Sequence, residues 1–546
     1  MPVARSWLSF SLLSFLALGC ADGSGPCPDG TYGPASGGGS ACTPWTECGP
    51  GSYVATAGTA TEDRVCAACA GGTYAATPNQ DTCAPVTVCA PGSFVAAEAS
   101  AANDRACAAC ASGTYSTTSN AASCAAWTAC DSSSIESVEP SATRDRQCEP
   151  TEWTSVFGTS ATDNARALVF DPSGRVFVVG DTNGALTGAT NAGGFDIAVV
   201  EVDSQGHAGS TDQLGSPAYD TPSGGAYASD GRLFVLGTSN GLLGQATLGS
   251  FDLVLRTYAS GLSPTSTFQF GTAAQDVSGG AVVDASGNLY VCGIVYGALG
   301  DQTALGNADA FVQKYDATGT LVWTRQFGTS AYDAATAVAL TSTGTVVVSG
   351  YVNGALPGKT GAGSYDAFLR GYDADGNVLF TDQNGTSAIE YGVDVATDAN
   401  GGSYLLVRTD GTYPMQTSAG GTDAVVVAYD ADGLPTGVRQ FGTSGTDTAM
   451  AIAATPAGVT YVVGPTNGTF PTLTYGGGLH DGFLARLDAT LVVTNVRAIA
   501  SSGDDVGVDV AYDPRGRVVV AGTTSGTLDG HAAVGPSDFF VRAFAP

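Results

Sequence analysis

Histidine and positively charged side chains are scarce in this chain of 546 residues. The three histidines, His207, His480 and His531, lie in unrelated contexts, so we expect neither a histidine-based zinc site nor a catalytic triad. Lysine and arginine number 20 against 50 aspartate and glutamate residues, which gives a formal charge of −30. So acidic a chain is a poor partner for nucleic acid or for anionic lipid headgroups.

Several ligand-binding signatures are also missing. No Asp-x-Asp-x-Asp-Gly loop of the EF-hand type occurs, and glycine runs such as Gly476-Gly477-Gly478 are not followed by the Lys-Ser or Lys-Thr of a phosphate-binding loop. After the N-terminal stretch, no segment has the apolar length of a membrane span. Charged residues make up 13% of the chain, whereas glycine occurs 76 times. This composition indicates many tight turns and short strands, and it favours an all-β fold.

The N-terminus has the composition of an export signal. Residues 1–19 carry one positive charge, Arg5, and an apolar run too short to cross a bilayer. The sequence Ala17-Leu18-Gly19-Cys20 resembles the lipobox of bacterial lipoproteins. The resemblance implies that Cys20 is lipidated and that residues 20–26 form an anchor and short linker. It also implies an exported protein held in the cell envelope, at the outer membrane or cell surface rather than the inner membrane. The alternative is an ordinary secretory signal.

Cysteine is concentrated in one region. Twelve of the fourteen cysteines lie between residues 27 and 148, and from Cys66 onward their pattern recurs every 41 residues. An even number of cysteines behind an export signal predicts a disulfide framework. The Cys-x-x-Cys pairs coincide with repeat boundaries, which favours disulfides over zinc. We expect three repeats within residues 27–150, at 27–66, 69–107 and 110–148.

The phrases Cys27-Pro28-Asp29-Gly30-Thr31-Tyr32 and Arg64-Val65-Cys66-Ala67-Ala68-Cys69 are similar to the cysteine-rich repeats of tumour-necrosis-factor receptors, or to the related ephrin-receptor-like type. Four cysteines of a unit allow three pairings. The resemblance implies Cys27–Cys42, Cys48–Cys66, Cys69–Cys83, Cys89–Cys107, Cys110–Cys124 and Cys130–Cys148. In receptors such repeats form a ligand-binding rod. Because a further domain follows here, we expect an elongated stalk instead.

Residues 151–546 repeat with a period of 56 to 58 residues. The phrase Gln326-Phe327-Gly328-Thr329 recurs in seven variants, whose Phe position falls at Phe157, Leu214, Phe270, Phe327, Asn384, Phe441 and Ile499. Each unit contains four candidate strands. In the unit from Phe327 they are Ala334–Leu340, Thr345–Gly350, Asp366–Tyr372 and Val378–Thr381, and the last of them runs on toward the next repeat. Seven four-stranded units predict a seven-bladed β-propeller, and the phrasing resembles the SBBP type of bacterial propeller repeat.

The ends of the repeat array predict a closed ring. The array begins with a segment that is a fourth strand in other units, Glu152–Phe157, and it stops after a third strand, Asp538–Phe544. We therefore expect the first segment to complete the last blade, which removes the free sheet edges. Phrases such as Asp171-Pro172-Ser173-Gly174 place tight turns on one face of the ring. The longer connections share the other face, the long-loop face, where binding function would lie.

Two rings of acidic residues fall on the long-loop face. A cation site, most plausibly for Ca²⁺, is one interpretation. The other, which we favour, is that each carboxylate accepts backbone N–H bonds and fixes its loop, because one acidic residue recurs in every repeat. The ring that ends the long loop comprises Asp196, Asp252, Asp309, Asp366, Asp423, Asp481 and Asp538. The ring that ends the blade-crossing connection comprises Asp163, Asp220, Asp276, Asp333, Glu390, Asp447 and Asp505.

The unit from residue 384 diverges most from the others. It contains Glu390, Arg408 at an expected glycine position, and Tyr413-Pro414-Met415. Divergence in one blade can mark a ligand patch, although drift is the commoner cause. Cys292 occupies a slot held by apolar or small residues elsewhere, which predicts a buried side chain.

The sequence favours an envelope-anchored binding or scaffold protein whose long-loop face recognises a protein or a polysaccharide. It contacts the membrane through its lipid anchor only and needs no cofactor. No recurring set of histidine, arginine, lysine and tyrosine supports a catalytic residue. An enzyme of the lyase or hydrolase type with a site at the central channel is nevertheless one alternative, and a structural spacer of the envelope is another.

Overall fold

A computed structural model describes residues 26–34, 41–131, 133–244, 247–471, 473–513 and 515–545. The expected signal peptide and the lipidation site Cys20 lie outside these residues. The described part is built of strands and turns, without a helix. Accordingly, it offers no helical segment of the length and apolarity needed to span a bilayer. Two compact units are present: residues up to 148 without 131–135, and residues 131–135 together with 149–546.

The cysteine-rich unit consists of short antiparallel hairpins joined by disulfides. The paired strands are Thr31–Tyr32 with Thr43–Pro44, Ser52–Thr56 with Val65–Ala68, Thr73–Tyr74 with Ala84–Pro85, Ser93–Ala97 with Ala106–Ala109, Thr114–Tyr115 with Ala125–Ala126, and Ser134–Val138 with Gln147–Pro150. Six disulfides join the first cysteine of each repeat to the second and the third to the fourth. Few apolar side chains are buried here, chiefly Cys48, Ala75 and Cys89. Each bridge contributes roughly 3 kcal/mol in place of a core.

The recurring Asp-Arg-x-Cys phrase of this unit has a structural role. Asp104 accepts hydrogen bonds from the backbone N–H of Thr87 at 2.8 Å and from the Thr87 hydroxyl at 2.6 Å. The same pair of bonds joins Asp63 to Thr46 and Asp145 to Thr128. These bonds lower the pKa of each carboxyl. The aspartate therefore links the two ends of the third-to-fourth disulfide loop in every repeat.

The second unit is a seven-bladed β-propeller of four-stranded antiparallel sheets. Strands 1 to 4 are Asp163–Phe170, Val176–Thr182, Asp196–Val202 and Ala208–Leu214 in blade 1; Asp220–Tyr227, Leu233–Ser239, Asp252–Ala259 and Ser263–Phe270 in blade 2; Asp276–Val283, Leu289–Val295, Asp309–Tyr315 and Leu321–Phe327 in blade 3; Asp333–Leu340, Val346–Val352, Asp366–Tyr372 and Val378–Asn384 in blade 4; Glu390–Thr397, Ser403–Thr409, Asp423–Tyr429 and Pro435–Phe441 in blade 5; Ala451–Ala454, Thr460–Thr466, Asp481–Leu487 and Val493–Ile499 in blade 6; and Asp505–Tyr512, Val518–Thr524, Asp538–Phe544 and Trp153–Phe157 in blade 7. A short hairpin, Thr527–Leu528 with His531–Ala532, lies in the long loop of blade 7.

The ring is closed as the sequence predicts. Trp153–Phe157 pairs antiparallel with Asp538–Phe544, so that Trp153 faces Ala543 and Phe157 faces Phe539. The first strand of each blade contacts the first strand of the next, including that of blade 7 with that of blade 1. Strand 1 is therefore the innermost strand and strand 4 the outermost. Strands 2 and 3 of each blade are almost fully buried between neighbouring sheets, which is the usual position of the core in a propeller.

The tight turns lie on the face opposite the long loops. In the strand 3–4 turn of blade 4, the N–H of Gly376 donates to the carbonyl of Asp373 at 3.0 Å, and Asn377 N–H donates to the Asp373 carboxylate at 2.8 Å. Gly376 adopts a φ of 78°, a left-handed conformation that glycine takes without steric cost. The repeated Asp-x-x-Gly phrases thus produce short, fixed turns on this turn face.

On the turn face, a large outer-strand side chain closes the junction with the next blade in three of the seven blades. We call the residue four places before the Phe of the Phe-Gly-Thr phrase the wedge position. Trp323 occupies it in blade 3 and lies directly on the turn glycine Gly376 of blade 4, where an added β-carbon would stand 2.9 Å from the indole. The Trp323 N–H donates to the carbonyl of Ala374 at 3.1 Å. The Trp153 ring lies on Gly206 and the Phe380 ring on Gly433, and the Trp153 N–H has no hydrogen-bond partner among the described residues.

At two other junctions the large side chain comes from the strand 3–4 turn and not from the wedge position. Leu262 and Leu491 stand where other turns have glycine, and both are buried. They hold φ angles of 52° and 63°, which a leucine rarely adopts because its β-carbon crowds the backbone. The wedge positions that they face carry small residues, Ser210 and Gly437. Packing of the junction therefore outweighs backbone preference in these turns.

The register corrects one sequence assignment. Arg408 does not replace the strand 2 glycine of other blades. Val407 does so, because it pairs with Gly392 as Gly350 pairs with Ala335. In blade 4 a β-carbon at Gly350 would lie 2.8 Å from the ring of Phe368. Blade 5 has Val425 at the position of Phe368, and this smaller side chain leaves room for Val407.

Removal of a wedge should open the core. We expect Trp323→Ala to lower the free energy of unfolding by about 3–5 kcal/mol, because the indole is 8% exposed and its loss leaves a cavity between blades 3 and 4. Urea unfolding followed by circular dichroism measures the change. Leu321→Ala, on the same strand and 47% exposed, is the control and should cost under about 0.5 kcal/mol. Equal effects of the two substitutions would contradict the wedge role.

Candidate binding face

The two acidic rings lie at the starts of strands 1 and 3 on the long-loop face, and their side chains are buried. In blade 6 the member of the first ring, Asp447, precedes strand 1 and pairs with Thr466 in an isolated bridge. Asp163, Asp220, Asp276, Asp333, Glu390, Asp447 and Asp505 all have 0% exposure. The loop-ending carboxylates are at most 4% exposed. A buried carboxylate needs hydrogen-bond donors or a cation. Its partners therefore decide between the two interpretations of the rings.

The carboxylates that begin strand 1 accept hydrogen bonds from the last residue of the Phe-Gly-Thr phrase. Thr329 donates its backbone N–H to Asp333 at 2.5 Å and its hydroxyl at 3.0 Å, and the same hydroxyl accepts the N–H of Ala331. Backbone N–H donors at 2.5 to 2.6 Å serve the equivalent carboxylate in the other six blades. Each carboxylate thereby fixes its own blade-crossing connection.

The carboxylates that begin strand 3 are held by the long loop and by a glutamine. Asp366 accepts the N–H of Ala362 at 2.8 Å and that of Gly363 at 3.1 Å. Gln383 donates to Asp366 at 2.8 Å and to the carbonyl of Gly354, and its amide oxygen accepts the N–H of Leu356. The same glutamine recurs in five blades, as Gln213, Gln269, Gln326, Gln383 and Gln440. The glutamine directly precedes the Phe-Gly-Thr phrase in these blades, so its recurrence in the sequence could have indicated a structural role. That role was not predicted.

Glycine separates the two rings at six of the seven blade junctions, and Ala500 takes its place between blades 6 and 7. A β-carbon at Gly442 would lie 2.4 Å from Asp423 Oδ1 and 2.7 Å from Asp447 Oδ2. At the junction of blades 5 and 6 the glycine α-carbon therefore fills the space between two neighbouring carboxylates, and a β-carbon would crowd both of them. In the described residues, no three histidine, cysteine, aspartate or glutamate side chains are grouped to hold a metal ion. The hydrogen bonds support the loop-fixing interpretation most fully for the ring that begins strand 1. In the ring that begins strand 3, at least one oxygen of each carboxylate is held in this way, whereas the Oδ1 atoms of four members are buried without a hydrogen-bond partner among the described residues: Asp196, Asp309, Asp423 and Asp481.

A cluster of tyrosines lies on the same face at blades 3 to 5. We call it the tyrosine cluster, and its members are Tyr296, Tyr332, Tyr351, Tyr365 and Tyr391. The Tyr351 and Tyr391 rings are 4.7 Å apart and nearly perpendicular, and Tyr365 lies 5.5 Å from both. Tyr332 joins Tyr351 to Tyr296. All five side chains are partly exposed.

Strand ends bring these tyrosines together. Tyr332 and Tyr365 directly precede the buried Asp333 and Asp366, and Tyr391 directly follows Glu390. Their backbone positions are thus fixed by the hydrogen-bonded carboxylates beside them. Burial raises the pKa values of the Tyr332 and Tyr351 hydroxyls, so both remain protonated at neutral pH and can donate hydrogen bonds.

Arg408 adds one cation to the tyrosine cluster. Its guanidinium lies 5.4 Å from the centre of the Tyr391 ring, a favourable cation–π distance. Arg408 belongs to the divergent blade 5, so this divergence places a functional group at the cluster. The other two divergent residues of blade 5, Tyr413 and Met415, do not belong to the tyrosine cluster. Tyr413 is buried and donates to Asn384 at 3.0 Å, whereas Met415 is 99% exposed.

Exposed apolar residues are spread over the long-loop face. They are Tyr219, Leu242, Leu248, Leu305, Met415, Tyr475, Leu479 and Val534. They come from the long loops or blade-crossing connections of five blades, and none comes from blade 4. The face therefore has scattered apolar contacts around a concentrated aromatic centre.

Two carboxylates on the innermost strands were not recognised in the sequence. Asp394 accepts the N–H of Ile452 in blade 6 at 2.8 Å, and Asp509 accepts that of Leu168 in blade 1 at 2.7 Å. Burial raises the pKa of Asp394 to about 6. Burial and the charge of Asp394 raise that of Asp509 to about 8. Other blades have alanine or glycine at this position, for example Ala167, Ala337 and Gly224, and this difference was the only available signal.

Comparison with known proteins supports both parts of the chain. Residues 27–66 match the TNFR/NGFR cysteine-rich region, and residues 152–186 match the SBBP β-propeller repeat, which confirms the two resemblances. The regulatory protein FlaEY of Caulobacter vibrioides is 28% identical over 270 residues, 43% of this chain and 28% of that protein. The chain thus matches less than a third of the length of this relative.

Two solved structures resemble the chain with a TM-score of 0.40 each. The Pan2 WD40 domain of Neurospora crassa is 9% identical and covers 70% of this chain and 88% of its own. The polysaccharide lyase Uly1 is 10% identical and covers 71% of this chain and 91% of its own. β-Propellers occur in enzymes and in proteins without catalytic activity, so the fold alone assigns neither role.

The role of the acidic rings can be tested by removing one carboxylate. We expect Asp333→Ala to lower the free energy of unfolding by about 1–3 kcal/mol, because it leaves the buried Thr329 N–H without an acceptor. Thermal unfolding of the unaltered chain should be the same in excess calcium and in chelator. Asp375→Ala, in an exposed tight turn, is the control and should be neutral. A chelator effect that disappears in Asp333→Ala would instead support a cation site.

A pH dependence should follow from Asp276. Burial and the charge of Asp252 raise its pKa to about 6, above the ordinary value of about 3.9. The folded state therefore binds this proton more tightly, and the resulting stability is present below pH 4 and lost as the pH rises through 6. Relative to Asp276→Asn, the unaltered chain should lose about 2 kcal/mol of unfolding free energy between pH 4 and pH 7.

Urea unfolding at several pH values measures this loss. Asp284→Asn is the matched control, because hydrogen bonds from Asn288 and Ser286 lower the pKa of Asp284. The stability that Asp284 contributes is lost as the pH falls, so its difference curve should have the opposite slope. Parallel curves for the unaltered chain and Asp276→Asn would refute the assignment.

Proposed function

We propose that this chain is an exported binding protein whose long-loop face recognises a neutral polysaccharide at the tyrosine cluster. The observation that carries the proposal is the set of five partly exposed tyrosines in edge-to-face, tilted and stacked contact, with Arg408 against Tyr391. Aromatic rings concentrated on one surface are a feature of recognition sites rather than of an inert spacer.

Tyrosine suits a sugar because it combines an apolar ring with a hydroxyl group. The ring can cover the C–H face of a pyranose, and the hydroxyl can both donate and accept a hydrogen bond. The Arg408 guanidinium offers further donors beside the rings. The fixed carboxylates Asp333, Asp366 and Glu390 anchor the adjacent backbone, so little order would be lost on binding.

Charge favours a neutral ligand. A formal charge of −30 repels a polyanion over the distance at which the ligand first approaches. A neutral glycan meets no such barrier. A protein partner is the alternative, and the scattered exposed residues such as Leu305 and Met415 would contact it. A stable protein interface, however, centres on a contiguous apolar patch, and blade 4, in the middle of the tyrosine cluster, contributes none of these residues.

Export and anchoring complete the proposal. Six disulfides and a cysteine-rich region of the extracellular type indicate an exported protein. We propose that Cys20 is lipidated and holds the protein at the outer membrane or cell surface, with the cysteine-rich repeats as a stalk. The propeller would then meet envelope or external polysaccharide.

An enzyme is the second candidate, and it rests on Asp394 and Asp509. Carboxyl groups with pKa values of about 6 and 8 are suited to proton transfer near neutral pH. However, each accepts two backbone N–H bonds, one of them from the next blade. This arrangement supports a structural link between blades more directly than it supports catalysis.

Substitution of the tyrosine cluster tests the proposal. Soluble protein carrying Cys20→Ser should be retained on isolated neutral envelope polysaccharide, and Tyr391→Ala should weaken retention about tenfold or more, equivalent to about 1.4 kcal/mol. Arg408→Ala should weaken it as well, because it removes the neighbouring donors. Binding isotherms on the immobilised polysaccharide measure both.

The controls separate recognition from folding. Met415→Ala removes an exposed side chain of the same face outside the tyrosine cluster and should bind like the unaltered protein. Tyr391→Phe keeps the ring and tests the hydroxyl alone. Retention that is equal for Tyr391→Ala and Met415→Ala, with unchanged thermal unfolding, would exclude the tyrosine cluster. Retention on protein fractions alone would favour the protein partner.

A further inference from the structure

One blade junction lacks the filling found in five of the others. At the junction of blades 2 and 3 the wedge position is Ser266, and the facing turn carries Gly319 rather than leucine. A β-carbon added to Gly319 would meet no atom within 4 Å. By contrast, Gly376 and Gly433 are covered by the rings of Trp323 and Phe380. Neither side of this junction supplies a large side chain.

The missing side chain leaves a cavity of about 250 Å³ on the turn face. Its walls are apolar at Phe234, Leu255, Leu289 and Tyr315. The Asp316–Gly319 turn forms one side, as the equivalent turn does beneath Trp323. The other junction without a wedge, at Asn495 between blades 6 and 7, has a cavity of only about 50 Å³, which is too small for an aromatic ring.

We infer that the cavity between blades 2 and 3 is a binding site for the indole ring of a tryptophan presented by a partner polypeptide. The chain itself demonstrates the fit, because Trp153 and Trp323 occupy the same place at two other junctions. In the Trp323 junction the indole N–H donates to the carbonyl of Ala374, the second residue of the turn. The carbonyl of Ala317 holds the equivalent place in the Asp316–Gly319 turn. An indole placed like that of Trp323 can therefore add a hydrogen bond that a phenyl ring cannot make.

Exposed residues near the opening of the cavity favour a polypeptide ligand over free indole. Phe268 lines the cavity and is 43% exposed. Leu321 and Val322, on the strand that leaves the Asp316–Gly319 turn, are 47% and 53% exposed. A polypeptide carrying the tryptophan would cover these side chains, whereas free indole would leave them in water. This site lies opposite the long-loop face and is independent of the proposed polysaccharide site.

Ligand-detected NMR with the full chain provides the test. The peptide acetyl-Gly-Trp-Gly-amide should bind, and acetyl-Gly-Ala-Gly-amide should not. Ser266→Trp supplies the ring from within, and it should weaken binding of the tryptophan peptide roughly tenfold or more and raise Tm by about 2–4 °C. Ser210→Trp is the matched control. It changes the same strand position at a junction already filled by Leu262, so it should leave peptide binding unaltered.

Gly319→Leu fills the site by the second route, copying Leu262 and Leu491, and covers the case in which Ser266→Trp does not fold. Loss of peptide binding in either filled variant but not in Ser210→Trp supports the inference. Absence of binding by the unaltered chain, or equal binding by all variants, overturns it. Free indole that binds as tightly as the peptide would overturn the assignment to a polypeptide partner.

Discussion

The hydrogen bond from the Phe-Gly-Thr threonine to the carboxylate that begins strand 1 is the contact on which the propeller depends. Through it, the end of one blade is tied to the start of the next. In blade 4 it joins Thr329 to Asp333, and each of the other blades has an equivalent. Gly328, which directly precedes Thr329, leaves space for Asp309, the carboxylate that begins strand 3 of blade 3. A sequence of three residues thus sets both the path of the chain and the separation of two buried charges.

The same contact makes the long-loop face a rigid platform. Tyr332, Tyr365 and Tyr391 project from backbone positions next to carboxylates whose oxygens are held by several donors. Residues on this platform can vary without loss of the fold, as Glu390 shows by replacing aspartate while keeping the bond to Thr386. Blades 3 to 5 therefore carry an aromatic centre, whereas the remaining blades have the same framework with other side chains.

Periodicity made the architecture predictable from sequence. The period predicted seven blades, and the position of Glu152–Phe157 predicted closure. The third strand of blade 4, Asp366–Tyr372, was placed at its observed bounds. The second was predicted to end at Gly350 but continues to Val352, because pairing with strand 3 extends to Asp366. The local sequence pattern predicts the start of a strand better than its end, because the end depends on pairing with the neighbouring strand.

The candidate sites were less predictable, because they depend on contacts between blades. The tyrosines of the tyrosine cluster are separated by up to about a hundred residues and share no phrase, so only the ring brings them together. Arg408 was assigned to a glycine position, and the error could be seen only from the pairing of Val407 with Gly392. The empty junction required both Ser266 and Gly319 to be known as neighbours. A single repeat does not show whether a small side chain in one blade is compensated by a large side chain in the next.

Closure by the first strand also has a consequence for biosynthesis. The strand that begins the propeller, Trp153–Phe157, has its partner at Asp538–Phe544. Blades 1 to 6 can form in order as the chain emerges, but blade 7 is complete only once Asp538–Phe544 has been made. Until then, the early strand has an unpaired edge, which other chains can occupy. A prematurely terminated chain would therefore stay an open ring with an exposed edge, which proteases and chaperones could distinguish from the finished protein.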